Sequence, residues 1–430
     1  MTYIKFWSIK ISNNRGMYIT RQQRHVIVVG GGASGMLAAI SARRQGAKVT
    51  ILERNPRVGK KILATGNGRC NFTNINTDIT YYDGVNPKFA YSALSQFDAY
   101  TAISFFERLG ISHKVEDLGK VFPMSDQASS VLDVLLYELN EVGVNIVCNA
   151  QVKEIVPKNK KFQIRLNDGS EFRGDRVILA TGGKAMPSSG SDGSGFELAK
   201  GLGHTIIDIF PGLVQLKLDG SFFNQIQGVK FVGACELLHN NKSIARDRGD
   251  ILFTNYGISG PPVLQISRKA GELLQKGHEP IIKITIIDTM SREALRDLLA
   301  IRFSNAAKKT IEFSLVGLIN KRLIPVILKE AGIDDIRRPV AHLSDMEKEN
   351  ILNILLDWRF KIRGTMGWQN AQVTAGGVDT REINPSTMES KLVEGLYFAG
   401  EIIDIDGLCG GFNLQWAWSS GFVAGQNAAL

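Results

Sequence analysis

The stretch RHVIVVGGGASGMLAAISARRQGAKVTILERN, residues 24–55, decides the fold, because it changes periodicity twice within one short span. Val26–Val29 form a continuous β-branched run, as expected of a parallel strand buried on both faces. Gly30-x-Gly32-x-x-Gly35 then makes a tight turn with Ala33 and Ser34 inside it. Met36–Arg44 repeat apolar residues at helical spacing until Gly46 closes the helix, and Val49–Leu52 read as the next strand. Glu53 ends that strand 23 residues after Gly30, where an acid hydrogen-bonds a ribose hydroxyl and disfavours a 2′-phosphate. Each glycine has a separate task. Gly30 makes the turn, Gly32 lets a pyrophosphate approach the backbone, and Gly35 lets helix and strand pack closely. The helix N-terminus then presents unpaired N–H groups to phosphate. The fold expected is α/β, with a Rossmann-like dinucleotide-binding domain.

The chain has 430 residues, more than one hydrophobic core usually holds, so two or three domains are expected. Its 44% hydrophobic and 22% charged residues fit a globular protein, and no apolar run is long enough to span a membrane. Cys70, Cys148, Cys235 and Cys409 show neither C-x-x-C nor zinc spacing, which fits a reduced cytoplasmic protein. The formal charge is +9, but residues 1–24 carry five bases and no acid, which leaves +4 for the rest. A basic nucleic-acid surface is therefore weakly indicated. Residues 1–23 are expected to be a disordered extension or an upstream start before Met17; an interfacial anchor built on Phe6 and Trp7 is the alternative.

A second glycine-rich loop, GKKILATGNGRCNFTN at 59–74, follows the acid directly, where a plain NAD dehydrogenase would continue its sheet. Lys60, Lys61 and Arg69 place positive charge beside small residues, a composition suited to a phosphate-bearing cofactor. Further on, residues 144–183 read as a strand, a hairpin turning at Asn167-Asp168-Gly169, and a buried strand ending in the glycines of ATGG.

The motifs TGNGRCN, ATGG, SDGSGFELAKGLGH, LFTNYGISGPPVLQIS, TAGGV and GLYFAGEIIDIDGLCGGFNLQWAWSSG, taken in this order, resemble the bacterial HI0933-like flavoproteins. The resemblance runs from about residue 24 to 430. It implies an FAD-binding domain of the glutathione-reductase type, made from both chain ends (24–208 and 373–430). A β-barrel (209–290), a helical piece (291–358) and a return strand (359–372) are inserted between them. It implies cofactor contacts from the first turn with Glu53 and Arg54, and from Lys60, Lys61, Thr65, Gly66, Asn67, Gly68, Arg69, Cys70 and Asn71. Val152 of the meander and Ala180, Thr181, Gly182 and Gly183 of ATGG join them. At the C-terminal end, YFAGE is expected as a strand delivering Gly400 and Glu401, and Gly411, Phe412, Asn413 and Leu414 open a last helix toward the flavin.

Short β-rich runs over 213–287 and helical patterns such as REALRDLLAIRF support the insertion independently. There is no second G-x-G-x-x-G, so NADH or NADPH is expected to dock only transiently as reductant. Asp404 and Asp406 resemble half a calcium loop, but the other ligands are missing and no metal is expected. Cys70 and Cys409 lack a resolving partner and read as packing residues. The segments 188–201 and 257–267 are expected on the substrate side, with Ser259 and Pro261 starting a helix; the sequence nominates no catalytic acid or base. The function expected is hydride transfer to a small organic substrate, with reduction of an electron-poor C=C bond preferred. A uridine-reducing enzyme acting on RNA and a non-enzymatic flavin sensor are the alternatives.

Overall fold

The computed structural model describes residues 23–430, so the expected N-terminal extension lies outside the described residues up to Gln22. A parallel five-stranded sheet forms the first body, in the order Leu396–Phe398, Arg176–Leu179, His25–Val29, Lys48–Leu52 and Asn145–Val147. Val26, Ile27, Val28, Val177, Ile178 and Leu179 are all fully buried, as strands covered on both faces must be. The edge strand Leu396–Phe398 comes from the far end of the chain and pairs in parallel with Val177–Leu179. A three-stranded antiparallel meander, Val152–Lys158, Lys161–Leu166 and Glu171–Gly174, leads back into the sheet.

The helix Ala33–Arg44 starts where the chain leaves the first strand through Gly30, whose φ is +102°. A Cβ on Gly30 would sit 2.5 Å from the Ala180 carbonyl oxygen, and one on Gly35 would sit 1.9 Å from that of Gly30. No side chain fits either position. The C-terminal helix Phe412–Ala429 lies against this first helix with almost no gap. A Cβ on Gly421 would approach the Ser34 oxygen to 2.4 Å, and one on Gly425 the Ala38 oxygen to 2.2 Å. These glycines weaken the helix locally but let the two backbones touch.

An antiparallel ribbon, Ile206–Gly212 with Val373–Val378, carries the chain out to the insert and back. The insert contains a closed six-stranded barrel, ordered Leu216–Leu218, Gly257–Ser259, Lys242–Thr254, Lys230–His239, Ile281–Thr285 and Trp358–Thr365. Helices Arg292–Asn305, Ile324–Glu330 and Asp345–Leu356 cover it. Leu295, Leu299 and Phe303 share one core with Ile282, Ile284 and Trp358, so barrel and helical piece form one body. The sheet domain keeps its own core.

The helix Pro261–Gln275 docks the insert on the sheet domain. The Arg268 guanidinium lies 2.8 Å from Asp406 and 3.7 Å from Asp83, and the Cys409 N–H donates to the Gln265 side-chain oxygen at 2.8 Å.

Gly425→Ala tests the close helix contact, because the same change in an open helix interior stabilises by about 0.5–1 kcal/mol. Here urea unfolding is expected to show the opposite sign, a loss of about 1–3 kcal/mol from overpacking.

Candidate functional site

An open cleft of about 1220 Å³ runs along the carboxyl ends of the parallel strands, where α/β sheets bind ligands. Three parts of the chain build it. The first βαβ unit supplies Gly30, Gly32, Ala33, Ser34, Glu53 and Arg54, and the loop behind it supplies Lys60, Lys61 and Thr65. The middle of the domain supplies Val152, Ala180, Thr181 and Gly182, and the chain end supplies Glu401, Asn413 and Leu414. Two helix N-termini therefore open on one space, that of Ala33–Arg44 and that of Phe412–Ala429. Their unpaired N–H groups make the cleft receptive to negative charge at two points.

Gly32 leaves room for a ligand against bare backbone. Its φ of −82° is open to any residue, and a Cβ on it would meet no protein atom within 4 Å. Gly30 and Gly35 are required by their own neighbours, whereas nothing in the protein requires Gly32. Its bare backbone lines the cleft, as a pyrophosphate cradle would.

The Glu53 carboxylate is buried and held from both sides. It accepts from the Gly31 N–H at 2.8 Å, and from the Asn55 backbone and side-chain N–H groups at 2.8 and 2.9 Å. Arg54, Arg57, Lys60 and Lys61 line the cleft against only Glu53 and Glu401, an excess of positive charge that suits a diphosphate. Lys61 and Glu401, 340 residues apart in sequence, form a partly buried ion pair at 2.6 Å, and Glu401 also accepts the Thr374 N–H at 2.8 Å.

Other residues singled out in the sequence lie behind the cleft wall. Arg69 stacks 3.9 Å from the Phe122 ring centroid and reaches Glu116 through both terminal nitrogens, so its charge is spent there. Gly66, Asn67 and Gly68 carry the chain through a left-handed run, and Asn71 accepts the Val121 N–H. Gly35 packs on Gly30, Gly183 on Thr374, and Gly400 on Ser34. Gly411 caps the last helix, and Phe412 stacks on Tyr81. Burial pushes the Cys70 thiol up to about 12 and raises that of Cys409, so neither is a ready thiolate. His204 is fully engaged between Glu382 and Ser390, and burial holds its imidazole below the usual range.

Two local expectations need correction. YFAGE is a strand only to Phe398; a 3₁₀ turn at Gly400–Ile402 aims Glu401 at the cleft. Gly260, with φ +113°, precedes the helix at Pro261, while Ser259 ends a barrel strand and so cannot cap. Of the segment expected on the substrate side, residues 189–191 and 194 line the cleft beside Glu53 and Asn55, and Asn55 and Lys60 tie the segment down. Sequence reading missed Asn55, Gln151 and Gln372, all of which line the cleft, and reached Ser191 only as part of the segment 188–201. Only Asn55, two residues after the acid, had a local signal. Trp416 is both buried and part of the cleft lining.

A profile of the HI0933-like protein Rossmann domain matches residues 24–427. The 3-dehydro-bile acid delta(4,6)-reductase of Clostridium scindens is 42% identical over 404 residues, 94% of this chain and 98% of that protein. The ribosomal RNA dihydrouridine synthase of Escherichia coli is 31% identical over 404 residues, 93% of this chain and 97% of that protein. Among solved structures, a flavocytochrome c3 fumarate reductase aligns at 18% identity and a TM-score of 0.47, covering 95% of this chain and 78% of that one.

Gly32→Val separates the ligand's requirement from the protein's. Unfolding of the ligand-free variant is expected to move by no more than about 1 kcal/mol, the scale of a lost glycine cap, while calorimetric titration with ADP shows binding abolished.

Asp406 gives a pH signature. Burial, opposed by Arg268, pushes its carboxyl up to about 7, and burial raises Asp404 to about 6. An acid raised on folding holds its proton more tightly folded than unfolded. Its contribution is thus complete below the ordinary carboxylate range and lost as pH climbs through about 7. Urea unfolding between about pH 4 and pH 8 is expected to show Asp406→Asn with a flatter decline than wild type; parallel pH profiles would refute this.

Proposed function

The chain belongs to the HI0933-like family, and on that footing we propose that it is an FAD-dependent oxidoreductase that saturates a C=C bond conjugated to a carbonyl. The observation that carries this reading is the 42% identity, over 94% of the chain, to a reductase of a delta(4,6) unsaturated 3-dehydro-bile acid. The second relative bears on the same chemistry. Forming dihydrouridine also saturates a C=C bond conjugated to a carbonyl, so both names describe reduction of an electron-poor C=C bond. The reaction class is common to both; the size of the substrate is what differs.

When bound, FAD supplies the hydride. The chain's own residues bind and orient it. In this reading Gly32 and the helix N-terminus at Ala33 receive the pyrophosphate, and Glu53 accepts the ribose hydroxyls. Ala150, Gln151 and Val152 border the adenine end. The N-terminal N–H groups of the last helix, which open on the cleft, would stabilise negative charge on the flavin ring. Val373, Leu414, Trp416 and Ala417 give that end of the cleft an apolar wall suited to a flat ring. If NADH or NADPH is the reductant, it would dock transiently, since the sequence has no second dinucleotide turn to hold it.

A small organic substrate is favoured over RNA by the identities and by charge. Residues 25–430 carry only +4, too little for the phosphate-neutralising surface that RNA affinity depends on. RNA is retained as the second reading because a relative at 31% identity over 93% of the chain acts on ribosomal RNA.

Anaerobic reduction by NADH or NADPH, followed by mixing with a steroid 4-en-3-one or with a uridine-containing ribosomal RNA fragment, tests both. The enone is expected to reoxidise the flavin at least about tenfold faster than the RNA, with loss of the enone absorbance. Faster turnover of RNA would select the second reading; purified protein that neither carries nor binds a flavin would overturn the first.

A further inference from the structure

Residues 187–194 run across the cleft opposite the first βαβ unit and are fastened to it at three points. Arg54 pairs with Asp192 and also reaches the Ser194 hydroxyl. The Asn55 side-chain amide donates to the Ser189 carbonyl at 2.9 Å, and the Lys60 ammonium to the Ser188 carbonyl at 2.5 Å. Two of the cations that composition offers for phosphate are therefore engaged with the protein. A Cβ on Gly190 would lie 2.2 Å from the Asn55 amide nitrogen, so the segment lies directly on its fastener.

One polar atom on this segment has no partner. Ser191 is 6% exposed and its hydroxyl oxygen is fully buried without a hydrogen bond, yet the residue lines the cleft. An unpaired buried hydroxyl costs stability, so its retention points to a ligand that satisfies it. Its position identifies which part of the ligand. It stands over Gly182, whose Cβ would approach the hydroxyl to 2.8 Å, and its neighbour Ser189 is linked through Asn55 to Glu53, the ribose acid.

We infer that residues 187–194 are a strap over the adenosine half of the cofactor, in which the Ser191 hydroxyl bonds the ligand and Arg54, Asn55 and Lys60 hold the strap shut. This rests on the FAD reading and deepens it. The strap sets how tightly the ADP portion is kept, whereas the flavin end is left to the last helix. Arg54 and Lys60 act on the cofactor through the strap, as positioning residues.

The test is equilibrium and stopped-flow binding of FAD and of ADP to apoprotein, read by flavin fluorescence and calorimetry, with thermal unfolding of the ligand-free forms alongside. Ser191→Ala is expected to weaken both ligands about three- to tenfold, the range of one neutral hydrogen bond. The apoprotein's melting temperature should hold or rise, because the variant removes an unsatisfied hydroxyl. A purely structural serine would show the reverse pattern. Asp192→Asn, which leaves Ser191 in place, is expected to speed FAD release several-fold, with a smaller salt dependence than wild type. Unchanged FAD and ADP affinity in Ser191→Ala overturns the ligand bond, and weakened FAD with unchanged ADP overturns its placement on the adenosine half. Failure of wild-type protein to bind FAD while ADP binding responds as expected would sink the flavin reading and leave the strap standing; failure to bind either overturns both.

Discussion

The contact between the two ends of the chain is the constraint on which the site depends. Gly421 and Gly425 bring the last helix onto the backbone of the first at Ser34 and Ala38, while Leu396–Phe398 closes the sheet beside Arg176–Leu179. Backbone touching backbone leaves no slack, so the position of one helix start determines that of the other. The consequence is electrostatic: two partial positive ends face one cleft, at the separation set by the glycines. A larger residue at either glycine would part the helices and splay the cleft, even though neither residue lines it.

The cleft distributes its charges economically. Of four cations along its walls, Lys61 is spent on Glu401 and joins the loop after the first βαβ unit to the returning chain. Arg54 and Lys60 hold the segment that crosses the opening. The groups left to receive negative charge are backbone N–H groups and helix ends, which are already oriented and lose little freedom on binding. The insert is seated by a buried contact of another kind. Arg268 meets Asp406 and Asp83 in a site where desolvation outweighs pairing for Asp406, so this docking depends on pH where a hydrophobic one would not.

Much of the fold was legible because its signals are local. The switch from strand to helical period in residues 24–55, the acid ending the second strand, and the hairpin at Asn167–Gly169 each depend on neighbours within a few residues. Those features and the insert's division into β-rich and helical runs could be read directly. The turn residues that line the cleft, Gly30 and Gly32, were legible for the same reason, since the turn's geometry is set by its own few residues.

What the sequence by itself determined is thus the dinucleotide turn, its acid, and the class of fold that carries them. Only the tertiary structure decided how the charged and polar residues are used. Arg69, Arg54 and Lys60 look alike in sequence as phosphate ligands, yet one stacks on Phe122 and the other two hold a strap. Gln372 carries no local signal at all and reaches the cleft only through folding. The physical reason is range. Backbone conformation is set by near neighbours, whereas a side chain's hydrogen bond or ion pair is set by whatever distant segment folding brings within 3 Å, as it brings Glu401 to Lys61.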